Sequence, residues 1–131
     1  MDEGRRADVA RWLRKARDDM AVVRLIVERS GPSAVAGFLC QQAAEKLLKG
    51  GLVAAGIDPP RTHDLEQLGR DARRSALAIE VDADGLAELA GYAVAPRYPG
   101  FPDDQADRDI RRLVSLAESV EAAVVAAIAQ L

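Results

Sequence analysis

His63 is the one histidine of the chain and sits in PPRTHDLEQL, residues 59–68. Imidazole is the side chain whose ordinary pKa suits proton transfer near neutral pH, so RTHD, from Arg61 to Asp64, is the first place to look for chemistry. On an extended segment Arg61 and His63 fall on one side, and His63 could donate toward a helix or a ligand. A structural part accounts for the same residues: His63 fixing the loop by bonding a carbonyl, with Thr62 and Asp64 as caps. His63 is the sole candidate for a catalytic role.

A second polar cluster, QQAAEKLLK from Gln41 to Lys49, lies in an otherwise apolar stretch. If the stretch is helical, Gln41, Glu45 and Lys49 share one face, and Gln42 and Lys46 the adjacent one. One reading is a solvated flank with a Glu45–Lys49 pair contributing about 0.2–0.5 kcal/mol. The other is a polar wall lining a groove between helices or subunits, with the donors and acceptors that a base or phosphate requires. The third cluster is RYPGF, from Arg97 to Phe101. There Arg97 could clamp a phosphate and Tyr98 stack on a base, or Tyr98 and Phe101 could anchor the loop to the core.

The elements that position these groups are helices. Ala, Leu, Arg and Glu dominate, and β-type alternation is nearly absent. Apolar residues at Val9, Trp12, Leu13, Ala16, Met20, Val23 and Val27 predict a helix over about 8–28, with Trp12 a core anchor. SGPS ends it, and Ser33 is placed to cap a second helix over about 34–55. Val35, Phe38, Leu39, Ala43, Leu47 and Leu48 form its buried side, and Ala36, Gly37, Ala43 and Ala44 allow close approach of a neighbour. Gly50 and Gly51 imply a kink or a close crossing, since each glycine costs a helix interior about 1 kcal/mol. Pro59 and Pro60 force an extended link. Asp64 then caps a third helix over about 65–78, with Gln67 placed to reach back as a capping box. Asp82 caps a fourth over about 84–93, and a fifth runs from Asp103 or Asp104 to about Ala129. APRYPGFP, residues 95–102, carries three prolines and is not expected to be helical. The fold expected is all-α: a single domain over 1–131, an antiparallel up-and-down bundle of four to five helices.

Composition narrows the function classes. The net charge of −3 gives no overall attraction to nucleic acid, so such binding needs a local basic patch. The single cysteine, Cys40, excludes an internal disulfide or a cysteine-built zinc site and reads as a buried core residue. P-loop, dinucleotide, zinc-protease and calcium motifs are absent, as is a serine in a nucleophile elbow. No cofactor or metal is expected, and enzymatic activity is not favoured. With a charged start and no apolar run of membrane length, a soluble cytoplasmic protein without membrane association is expected. The nearly uncharged EAAVVAAIAQL, from Glu121, is apolar on more than one face and points to burial against a partner subunit.

In order, ARWLRKARDD from Ala10, CQQAAEKLLK from Cys40, PPRTHDL from Pro59 and PRYP from Pro96 resemble the HEPN domain (higher eukaryotes and prokaryotes nucleotide-binding) over about 8–127. The resemblance implies a helical bundle that forms a homodimer and works with a minimal nucleotidyltransferase, in several branches as a toxin–antitoxin pair. It also implies a nucleotide or RNA ligand. Ribonuclease members use an arginine and a histidine with four to six residues between them, acting without metal on the RNA 2′-hydroxyl. Here those positions hold Gly56, Ile57 and Asp58, so the ribonuclease motif is missing. The family's polar positions map onto Gln42, Glu45, Lys46, Lys49, His63, Asp64, Arg97 and Tyr98. Three functions are therefore carried forward: a non-catalytic nucleotide or nucleic-acid phosphate binder, a divergent ribonuclease toxin using His63, and a structural helical adaptor.

Overall fold

The computed structural model describes residues 1–92 and 110–131 in full and residues 103–109 as helical backbone. Five helices and no strand occur among the described residues: α1 (Glu3–Glu28), α2 (Ser33–Ala54), α3 (Leu65–Arg74), α4 (Ala83–Ala90) and α5 (Asp103–Ile128). This is the expected all-α bundle. The α1–α2 pair is antiparallel, with Trp12 against Gly50 and Asp19 against Lys46. Arg17–Glu121 and Arg24–Glu118 pairs set α1 antiparallel to α5, while Gly37–Leu113 and Gly51–Val124 set α5 parallel to α2. Ile79 lies beside Gly51 and Tyr92 beside Gly37, so α4 runs antiparallel to α2, and α1, α2, α4 and α5 alternate in direction.

At the centre lies α2. Leu47, Leu48 and Leu52 are its largest buried apolar groups, packed among Val23 of α1, Leu65 and Leu68 of α3, Leu86 and Leu89 of α4, and Leu113 and Val124 of α5. Each such side chain contributes about 1.5–3 kcal/mol on leaving water. Ala36, Ala43 and Ala44 are fully buried, and a Cβ on Gly37 would lie 2.7 Å from the Tyr92 ring, so small residues do admit close neighbours. Val27 and Val35 stay exposed instead of joining the buried stripes, as do Val125 and Leu131 near the end of the chain.

Gly50 and Gly51 mark close crossings, for α2 runs unbroken through both. A Cβ on Gly50 would stand 3.1 Å from Trp12 Cβ, and one on Gly51 2.7 Å from Ile79 Cδ1. Trp12 itself is half-buried and lies outside the core cluster, so it is not the core anchor expected.

Helix ends follow local hydrogen bonding. Asp2, Asp64 and Asp82 cap α1, α3 and α4 by accepting backbone N–H groups. Pro32, without a side-chain bond, occupies the α2 cap position, and Ser33 is the first helical residue rather than the cap. Asp64 accepts from the Glu66 and Gln67 amides at 3.0 and 3.2 Å, while its own N–H donates to Thr62 Oγ1. Thr62 thus takes the place expected for the Gln67 side chain. The third helix stops at Arg74, short of Ala78, because Ser75 Oγ donates to the Ala72 carbonyl at 2.7 Å and Ala78 turns left-handed at φ 45°. That reversal aims Ile79 into the core. At the end of α2, Gly56 (φ 85°) permits bonds from Gly56 N to Val53 O and from Ile57 N to Leu52 O, a Schellman closure. Among the described residues no helix is long and apolar enough to cross a membrane.

Candidate functional site

The line Gln41, Glu45, Lys49 recurs every four residues on α2 and is covered inside the bundle, with Trp12 of α1 meeting Lys49 and His63 of the following link meeting Glu45. Gln41 is fully buried, Glu45 is 4% exposed and Lys49 is 7% exposed. This excludes the solvated-flank reading: the line is a polar seam inside the bundle. A buried charge is tolerated only when paired, and both charges are. Lys49 Nζ lies 3.4 Å from Glu45 Oε2, and His63 Nδ1 lies 3.0 Å from Glu45 Oε1. Lys49 Nζ also stands over the Trp12 ring, 5.7 Å from its centroid.

The extended link after α2 delivers His63 to this carboxylate. The His63 side chain is 80% exposed although its bonding partner is buried. It bonds a carboxylate, not the backbone carbonyl considered from sequence. A carboxylate can only accept, so the hydrogen of this contact sits on Nδ1, and Nε2 is turned away from it. An oriented imidazole with one free nitrogen results, open to solvent at the bundle surface.

The adjacent face of α2 is also engaged. Lys46 Nζ donates to Asp19 Oδ2 of α1 at 2.6 Å, and Gln42 Nε2 donates to Gln41 Oε1 at 2.6 Å. The buried Gln41 Nε2 has no partner among the described residues. The structure therefore brings Gln42, Glu45, Lys46, Lys49 and His63 together, while Asp64 serves as the α3 cap. Arg97 and Tyr98 lie outside the described residues.

Sequence reasoning missed the α1 side of the seam. Asp8, Arg11, Trp12 and Lys15 line a cavity of about 360 Å³, and Arg11 pairs with Asp8 at its rim. The signal was present as spacing: residues 8, 11, 15 and 19 follow steps of three and four beside the apolar stripe that holds Trp12. Six basic residues also fall between Arg5 and Arg17, against only Asp2, Glu3 and Asp8 among residues 1–17. A local basic stretch thus exists in a chain of negative net charge. No cluster of three or more His, Cys, Asp or Glu side chains that could hold a metal ion occurs among the described residues.

Comparison with known proteins identifies a family. The family model for the HEPN domain covers residues 9–127, all but the first eight and last four positions. No curated protein and no solved structure matches the chain. The chain belongs to the HEPN domain family, and that membership supports a function connected with nucleotides or RNA.

Proposed function

We propose that the protein binds a nucleotide or a nucleic-acid phosphate on the α1–α2 polar face without turning it over. In this reading it is a homodimer that acts beside a minimal nucleotidyltransferase, as one half of a toxin–antitoxin-type pair. The observation that carries the binding role is the Glu45–His63 contact, a buried carboxylate holding an exposed imidazole in one orientation at 3.0 Å. A group fixed before its ligand arrives loses little freedom on binding. Lys46 and Lys49 are held by Asp19 and Glu45, so they shape the face, while His63 offers a free nitrogen to the ligand.

Titration calorimetry with ATP, GTP and a short RNA tests the binding role. Saturable binding that weakens in His63→Ala is expected; no heat with any of the three overturns it. The partnership is tested at the adjoining reading frame, where a small nucleotidyltransferase that co-purifies with this chain is expected.

The same contact also favours a second reading, metal-independent cleavage of RNA with His63 as the base. Nε2 would take the proton of a 2′-hydroxyl while Glu45 steadies the imidazolium through Nδ1. Cleavage in the presence of EDTA, lost in His63→Ala, would establish it, and RNA left intact by the pure protein would remove it.

A further inference from the structure

We infer that the cavity on the N-terminal half of α1 is a subsite for a nucleobase with its phosphate, the base stacked on Trp12 and the phosphate held by Arg11 and Lys15. The inference rests on the nucleotide-binding reading above and gives it a place and a chemical class. Four observations converge. The cavity, at about 360 Å³, falls within the usual range of about 300–1,000 Å³ for small-ligand sites. Its described lining consists of one indole, two cations and one carboxylate, and this is the set that flat, anionic ligands require.

The ring is also prepared in advance. Gly50 lets α1 approach so closely that Trp12 Cβ would lie 3.1 Å from an added Cβ, and the buried Lys49 ammonium stands over the ring. Glu45 balances that ammonium, so the indole is fixed without leaving an unpaired charge beside it. Finally, the cavity lies in the most basic stretch of the chain, with Arg5 and Arg14 close by in sequence. Such a field draws phosphates toward the ring. Arg11 would exchange its Asp8 contact for a phosphate, and Asp8 could then accept from an exocyclic amine of the base. Through Lys49 and Glu45 the ring is linked to His63, so one ligand or strand could engage both.

Trp12 is the sole tryptophan, so its emission reports this place alone. The whole chain is titrated with adenosine, AMP, UMP and a five-nucleotide single-stranded RNA, with fluorescence and calorimetry read in parallel. Saturable quenching is expected, with a midpoint that matches the calorimetric Kd and with AMP binding more tightly than adenosine. Saturation by AMP or UMP identifies a free nucleotide as sufficient; saturation by the RNA alone identifies a single strand; both support the subsite. Trp12→Ala should weaken binding by about 5- to 150-fold, the range expected for a lost base–aromatic stack, and Trp12→Phe should recover most of it. Arg11→Gln and Lys15→Gln, at exposed positions, should each weaken AMP more than adenosine. Calorimetric binding with unchanged Trp12 emission, and unchanged in Arg11→Gln and Lys15→Gln, would overturn the subsite while leaving the binding function standing. Silence in both readouts with all four ligands would remove both.

Discussion

Glu45 and His63 bond at 3.0 Å from opposite environments, the carboxylate 4% exposed and the imidazole side chain 80% exposed. The contact carries information from the interior of the bundle to its surface. Whatever fixes Glu45, above all Lys49, fixes the direction of the one histidine.

The first prediction concerns that interior. Glu45→Ala strands the Lys49 ammonium, 7% exposed, without a counter-charge. Removing one partner of a buried pair costs about 3–5 kcal/mol, and urea denaturation should show a loss of that order. The double change Glu45→Leu with Lys49→Met should recover most of it, since no buried charge is then left unmatched. It should still lose any ligand contact made through His63.

His63→Ala should behave differently. The change leaves Glu45 paired to Lys49, so the expected loss is that of a hydrogen bond to a charged group, about 1.5–3 kcal/mol at most. If the role of His63 were only to tie down the loop, melting temperature would fall and calorimetry with ATP, GTP and RNA would not change.

Cys40 should be chemically silent in the native state. Burial, reinforced by the nearby Glu118 charge, pushes its thiol from the ordinary 9.0 up to about 12. Native protein at pH 8 should not react with dithionitrobenzoate, and full reaction should appear on denaturation. The sign for stability follows. The thiol ionises earlier in the unfolded chain, so its contribution is complete below about pH 9 and declines as pH rises from there toward 12.

Glu88 titrates in the other direction. The hydrogen bonds from Arg112, at 2.6 and 2.7 Å, hold its carboxyl below the usual carboxylate range, slight desolvation opposes this, and the Arg112 charge adds to it. A lowered folded value favours the folded state above the unfolded pKa, and that contribution fades as pH falls through the acid range. An NMR titration should show Glu88 moving up toward 4.5 in Arg112→Gln. In wild type it should also move up in high salt, because the pair is exposed.

Helix crossings give a paired prediction. In Gly50→Ala the new methyl meets Trp12 Cβ, an atom tied to the α1 backbone, at 3.1 Å. Overpacking of about 1–3 kcal/mol should outweigh the gain of about 1 kcal/mol in helix propensity. Ala78→Gly should act in the opposite sense, since φ 45° strains any side chain, and should raise stability by about 0.5–1 kcal/mol. Thermal melts of the two variants check both signs.

Much of this fold was legible because helix periodicity and aspartate caps act locally. Steps of three and four located α1, α2 and α5, and Asp64 and Asp82 sit at the predicted caps. The stop at Arg74 was not legible: it depends on Ser75 bonding back to Ala72 so that Ile79 can reach Gly51, a tertiary demand. The site divided along the same line. Spacing identified the Gln41–Glu45–Lys49 line and singled out His63, because both signals lie within one segment. Their mutual contact across 18 residues, and the Asp19 and Trp12 partners on α1, arise only when α1 and the link after α2 come to rest on α2.

The placement of Gly50 beside Trp12 has a kinetic consequence. From Asp8 to His63, every group of the seam and cavity belongs to the first half of the chain, joined by separations of 4, 18 and 27 residues in its hydrogen bonds. Short loops close quickly and at small entropic cost. During synthesis these partners have all been made before the first residue of α5, so the seam and cavity are encoded in a contiguous hairpin. Cutting and rejoining the chain within the second half would leave that hairpin's order intact.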